Sequence, residues 1–137
     1  MSASHTVDIA LCQSLRRTVF TLEQGVSVAE EVDGRDPEAV HFLATLNGKP
    51  VGTARILIKG DTAKIGRVCV LKEARGTHQG QALMAACIDW AREAGLKRAL
   101  LGAQLTALGF YEALGFVAFG PVFDDAGIDH RDMELML

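Results

Sequence analysis

Residues 67–83 limit what this chain can become more than any other stretch. They open on a β-prone run, Arg67-Val68-Cys69-Val70. They then pass through Arg75-Gly76-Thr77-His78-Gln79-Gly80 and continue into an amphipathic segment from Gln81 onward. A strand feeding a glycine-bearing loop that opens a helix predicts a layered α/β domain. The same order gathers unpaired backbone N–H groups and the positive end of a helix dipole at one place. Such a place suits an anion, and in particular a phosphate-bearing ligand.

Elements on either side follow from periodicity. Leu11, Leu15, Val19 and Leu22 predict a helix over residues 10–23, ended by Gly25. Glu31, Asp33, Asp36 and Glu38 surround Gly34 and Pro37, so residues 30–38 read as an exposed acidic loop. Two strands, residues 40–46 and 51–58, meet at Asn47-Gly48, the dipeptide that closes hairpins. A third strand over residues 62–70 carries Gly66, which predicts a bulge or bend. The helix after the loop shows an apolar stripe of Leu83, Cys87, Trp90, Ala91 and Ala94, and Gly95 stops it. A strand over residues 98–103 precedes a short helix over residues 106–114. A strand over 116–123, broken by Gly120-Pro121, and a last strand over 132–137 complete the chain. This order predicts a mixed α/β (α+β) sheet with helices on both faces, in a single domain over residues 1–137.

Composition removes several function classes. With 137 residues, 49% of them hydrophobic, the chain matches one domain with one core. Its 14 basic and 17 acidic residues leave a net charge of −3, which predicts no nucleic-acid partner. No apolar run approaches the ~20 residues that cross a bilayer, so no membrane partner is expected. The first eleven residues include Asp8 and lack a basic leader, which makes a poor secretory signal. Cys12, Cys69 and Cys87 are scattered through apolar elements. That spacing predicts reduced thiols in a cytoplasmic protein, with no disulfide frame and no metal.

The loop excludes two nucleotide motifs. Gly80 is followed by Gln81-Ala82 rather than Lys-Ser or Lys-Thr, which disfavours triphosphate hydrolysis. The three spaced glycines and the acidic residue of a dinucleotide site are missing as well. A second motif follows the next strand: Gln104-x-x-Ala107-x-x-Phe110-Tyr111-Glu112-x-x-Gly115-Phe116. Together the two motifs resemble the GNAT superfamily of N-acetyltransferases over residues 51–119. Arg17-x-Val19-Phe20-x-x-Glu23-Gln24-Gly25-Val26 and Gly127-Ile128-x-His130-x-x-Met133 resemble a small bacterial branch of it.

That resemblance implies a mostly antiparallel mixed sheet splayed at a central parallel pair. It implies acetyl-CoA as donor and a primary amine, on a small molecule or an amino terminus, as acceptor. Transfer would be direct, through a tetrahedral intermediate. Homodimers, common in the superfamily, are compatible with it. The coenzyme would lie along Val68, Cys69 and Val70, with the N–H of Val70 facing the thioester carbonyl. Arg75, Gly76, Thr77, His78, Gln79, Gly80, Gln81 and Ala82 would hold its pyrophosphate, and Gln104, Phe110 and Tyr111 would border its arm. His78 replaces the family's usual first glycine, and can offer its N–H if its φ is negative. Gln104 replaces the usual asparagine. A catalytically weak acyl-CoA-binding or sensing module is the competing reading, favoured by those two departures.

Tyr111, the only tyrosine, occupies the family position of the general acid. Glu23 and His130 are the candidate bases, with His41 a weaker one. Cys69 lies in an apolar strand and reads as an inert thiol, which favours transfer without an acyl-enzyme. The acidic loop would steer a cationic amine toward the cleft.

Overall fold

In the computed structural model, which describes residues 2–137, a strand β1 (Ser2–Thr6) comes first. Met1, the first residue of the expected domain, lies outside the described residues. Helix α1 (Ile9–Arg16) runs on into a π-helical segment over Arg17–Glu23, and a short α2 covers Val28–Glu31. Strands β2 (Val40–Leu46), β3 (Lys49–Lys59) and β4 (Thr62–Val70) lead to the long helix α3 (Gln79–Glu93). Then come β5 (Arg98–Gln104), α4 (Leu108–Ala113), β6 (Val117–Asp125) and β7 (Ile128–Met136).

These strands form one sheet in the order β1-β2-β3-β4-β5-β7-β6, antiparallel everywhere except between β4 and β5. The parallel pairing is brief: Thr62, Ala63 and Lys64 face Arg98, Ala99 and Leu100. Beyond Leu100 the two strands part. The expected bulge supplies the cause. Thr53 pairs with Cys69 but Arg55 pairs with Gly66, so β4 carries an extra residue, and Arg67 there has φ +53°. A bulge bends and twists its strand, which turns the end of β4 away from β5.

Helices cover both faces, as expected. Leu83, Met84, Cys87, Ile88 and Ala91 of α3 pack on Phe42, Ile56, Ile65 and Leu101. Leu15 and Val19 pack with Cys69 and Leu71 as a second cluster. Past the bulge, Cys69 joins the α1 cluster while its neighbours Val68 and Val70 pack against the α3 cluster.

Several expectations need correction. β1 was not expected, because Ser-Ala-Ser-His-Thr offers little apolar alternation; its backbone pairs with β2 along five residues. The first helix is α-helical only to Arg16. The wider π segment after it rotates Leu22, placed on the apolar stripe by spacing, out to 75% exposure. Ala94 is an exposed C-terminal cap rather than part of the α3 stripe. β7 begins at Ile128 rather than at residue 132, and β6 reaches Asp125.

The acidic segment differs most. Glu31 and Asp36 are buried, because arginines from three elements reach it. Arg16 of α1 and Arg55 of β3 bond Asp36, Arg55 also bonds Asp33, and Arg67 of the bulge bonds the Glu31 carbonyl. A charge run with structural partners is not a free steering patch. Among the described residues no helix is long and apolar enough to cross a membrane.

Candidate active site

Loop geometry at the start of α3 sets up the first part of the site. After β4 a single 3-10 turn, Lys72–Ala74, delivers the chain to Arg75. The first helical bond at this end is Ala82 N–H to His78 C=O, at 3.1 Å. The N–H groups of Gly76, Thr77, His78, Gln79, Gly80 and Gln81 therefore have no hydrogen-bond acceptor among the described residues. Gly76 (φ +82°) and His78 (φ +63°) flank Thr77 in left-handed backbone, which curls these donors into a concave nest.

His78 thus holds a positive φ, so the negative φ set as the condition for its N–H to contribute is not met, yet that N–H stays among the unbonded donors. Its Nδ1 faces the Gln81 side-chain oxygen. Histidine is one of the few side chains that enter this region with some frequency. Gly80 has a different role: a Cβ there would lie 3.2 Å from the Phe110 ring tip and press on it. The result is a cavity of about 270 Å³ bordered by Val70, Arg75, Gly76, His78, Gln79, Gly80, Gln81 and Phe110. The buried side-chain oxygen of Gln79, on that border, has no partner among the described residues. Unbonded amides and a helix N-terminus fit the pyrophosphate of a coenzyme.

A larger cavity, about 460 Å³, opens where β4 and β5 part. It is lined by Glu23, Val68, Cys69, Val70, Arg75, Gln104, Tyr111 and His130, among others. Val70 and Arg75 border both cavities. Leu71 donates its N–H to Val51 of β3, so the backbone of Val70 points the opposite way, into the split. The Val70 carbonyl accepts a 3.1 Å bond from Arg75 Nε. Arg75 also bonds both carboxylate oxygens of Glu23, at 2.6 and 2.7 Å. Those bonds hold the Glu23 carboxyl below the usual carboxylate range.

The remaining groups come from the second half of the chain. Tyr111 packs edge-on against Phe110 and Phe116, and burial pushes its hydroxyl up to about 12. His130 is opposite Gln104 in the β5–β7 register and stacks on Phe123. Its Nδ1 lies 2.7 Å from the Ile128 carbonyl. A carbonyl only accepts, so Nδ1 carries a proton, and Nε2 is the ring atom left to exchange one with a ligand. Gln104 donates to the Gln24 side chain at 3.0 Å.

Sequence reasoning missed Phe20 and Gln24 as cleft residues, although both stand in the motif around Glu23. The π segment is what turns them inward: Gln24 N–H reaches back five residues to Val19 C=O. His41 lies outside the cleft lining, buried between Arg16 Nη2 at 3.0 Å and the Asp36 carbonyl at 2.9 Å. Burial raises the Cys69 thiol to about 12, which fits an unreactive side chain.

Residues 13–137 match the family model for the acetyltransferase (GNAT) domain. The chain belongs to the GNAT acetyltransferase family. It is 37% identical over 120 residues to the uncharacterized N-acetyltransferase YjcF of Bacillus subtilis, covering 87% of this chain and 86% of that one. The crystal structure of Escherichia coli ElaA superposes with a TM-score of 0.83 at 30% identity, over 97% of this chain and 96% of that chain. An acyl-CoA N-acyltransferase from Pseudomonas aeruginosa gives 0.83 at 29% identity, with 97% of each chain covered.

A GNAT acetyltransferase is an acyl-CoA-dependent enzyme that moves an acetyl group to a small-molecule or amine acceptor. Among the described residues no group of three or more His, Cys, Asp and Glu is placed to hold a metal ion.

Proposed function

We propose that this GNAT acetyltransferase moves the acetyl group of acetyl-CoA directly to a primary amine, on a small molecule or an amino terminus. The observation that carries the reading is the meeting of the two cavities at Val70. A carrier whose diphosphate sits in the Gly76–Gln81 nest can lay its arm along Val68, Cys69 and Val70. Strand-like pairing with the free edge of β4 suits such an arm. Phe110 and Gln104 border it, and Ala82 lies in the first turn of the helix behind the nest.

Each reacting group then has a part. The N–H of Val70 stabilises the oxyanion that develops on the thioester carbonyl, a task suited to a fixed backbone donor. His130 Nε2 takes the proton that the attacking ammonium must lose. Glu23 keeps its negative charge and holds Arg75, so it acts as a positioning residue rather than as the base. Attack by the freed amine forms the carbon–nitrogen bond and the oxyanion. As that intermediate collapses the carbon–sulfur bond breaks, the electron pair leaves with sulfur, and the second proton of the amine nitrogen passes to water. A free thiol titrates near ~8.5, well below the Tyr111 hydroxyl. Tyr111 therefore donates a hydrogen bond to the departing thiolate, which takes its proton from water. The buried thiol of Cys69 supports transfer without an acyl-enzyme.

The test is thiol release from acetyl-CoA with a panel of amines, peptides and diamines. Wild type should release thiol only with an acceptor present. His130→Gln and Tyr111→Phe should each lower turnover about a hundredfold while coenzyme affinity stays within about twofold. No acceptor-dependent release from folded protein that binds coenzyme A would overturn the reading.

A further inference from the structure

We propose that Asp132 selects acceptors that carry a second cationic group, so that the preferred substrate is a diamine or a longer polyamine. This rests on the amine-acetylation reading above and names the acceptor class for it. Asp132 and His130 are two residues apart on β7 and so share a face, and both line the larger cavity. His130 is 9% exposed, and its Nε2 has no partner among the described residues.

The carboxylates of the cleft fall into two groups. Glu23 is held by Arg75, Glu31 and Asp33 face Arg67 and Arg55, and Glu30 accepts from Ser27. Asp125 lies within the field of Arg67. The Asp132 carboxylate has no side-chain hydrogen bond or ion pair among the described residues. A carboxylate left unpaired inside a cleft recruits a cation from its ligand.

Space around Asp132 is kept open by its partner in the sheet. It lies opposite Gly102 in the β5–β7 register. A Cβ on Gly102 would lie 3.3 Å from the Phe123 ring tip and 3.9 Å from Asp132 Oδ1, so a side chain there would crowd the approach. Two residues along a strand separate His130 from Asp132 by roughly 6.6 Å. Two nitrogens joined by about four methylenes span a similar distance. One amine can then give its proton to His130 while the other stays charged on Asp132.

Lys64, at the last paired register of β4 and β5, is a cation of the lining with no ion pair among the described residues. It makes an amino acid with a terminal carboxylate the competing occupant. Its side chain is exposed to water, whereas Asp132 stands beside His130.

The experiment compares diaminobutane, butylamine and aminobutyrate as acceptors, with wild type and Asp132→Asn, by initial-rate thiol release. Diaminobutane should exceed butylamine at least tenfold in kcat/KM, and Asp132→Asn should collapse that ratio toward one. A ratio unchanged by Asp132→Asn, or a preference for aminobutyrate, overturns the proposal. Calorimetric titration of diaminobutane into the protein with coenzyme A gives a readout without turnover. Binding that Asp132→Asn weakens tenfold, without any thiol release, would sink the acetyl-transfer reading and leave the Asp132 assignment standing. Equal binding by both forms would sink the assignment. Gly102→Ala, which narrows the approach, should lower the diamine preference in the same direction.

Discussion

Glu23 and Arg75, 52 residues apart in the chain, are joined by two hydrogen bonds of 2.6 and 2.7 Å. Arg75 also reaches the Val70 carbonyl, so one guanidinium ties the π-helical segment to the end of β4, at the place where the two cavities meet. A pair this exposed contributes little to global stability, because water and salt screen it. Its consequence is local: it fixes the strand end whose N–H faces the cleft.

Replacing Arg75 by Ala should therefore move coenzyme affinity more than stability. Thermal unfolding should change by less than about 1 kcal/mol. The dissociation constant for coenzyme A should rise about tenfold, equal to about 1.4 kcal/mol. Glu23→Gln should give a smaller loss. The double variant should lose less than the sum of the two, since both act on one contact. Calorimetry on the four proteins of the cycle checks this, and strict additivity would deny the coupling.

Tyr111→Phe leaves the edge-on packing against Phe110 and Phe116 intact and removes only the hydroxyl. Turnover should fall about a hundredfold with coenzyme affinity unchanged. The hydroxyl is pushed up to about 12, so it stays protonated throughout the neutral range. The pH–rate profile of wild type between pH 6 and about 9 should therefore show no limb that Tyr111→Phe removes. A limb that disappeared in the variant would show that the phenol ionises during turnover.

His78 holds a left-handed backbone, which costs a side chain about 1 kcal/mol. His78→Gly relieves that strain but adds flexibility to the unfolded chain, so stability should stay within about 1 kcal/mol of wild type. Coenzyme A should bind equally or a few-fold more tightly, because the nest loses a Cβ and keeps every N–H. His78→Val should lose about 2 kcal/mol, since a β-branched residue is poorly suited to positive φ. Denaturant melts and calorimetry of the two variants separate backbone strain from any direct role of the imidazole.

How much of this is legible in the sequence depends on how local each feature is. The loop from Arg75 to Gly80 was legible, because a strand, a glycine-bearing turn and a helix start need only neighbours in sequence. Gly66 marked the bulge for the same reason. The Glu23–Arg75 pair was hidden: no periodicity links residues that far apart. The π segment was hidden too, since Leu11, Leu15, Val19 and Leu22 fit an ordinary helix. The acidic loop was misread because its partners Arg16, Arg55 and Arg67 come from three other elements. The strand β1 escaped because an edge strand can be held by its backbone alone.

That buried network yields a prediction with opposite signs for two neighbouring acids. Burial pushes the Asp36 carboxyl up, but bonds from Gln13 and Arg55 and the charge of Arg16 outweigh it and hold it below its usual range. Its contribution is therefore present above the unfolded value near ~3.9 and is lost as pH falls through the lower folded value. Glu31 is raised by burial, more than Arg67 and Arg16 can offset. Its ionised form is penalised in the fold, so protonation on acidification favours the folded state. Asp36→Asn should cost about 3 kcal/mol at pH 7, because Arg16 and Arg55 lose a buried counter-charge. Glu31→Gln should be neutral or stabilising at pH 7. Chemical denaturation from pH 7 downward tests both: the gap between wild type and Asp36→Asn should narrow only below pH about 4. A Glu31→Gln protein as destabilised as Asp36→Asn would show that burial does not dominate at Glu31.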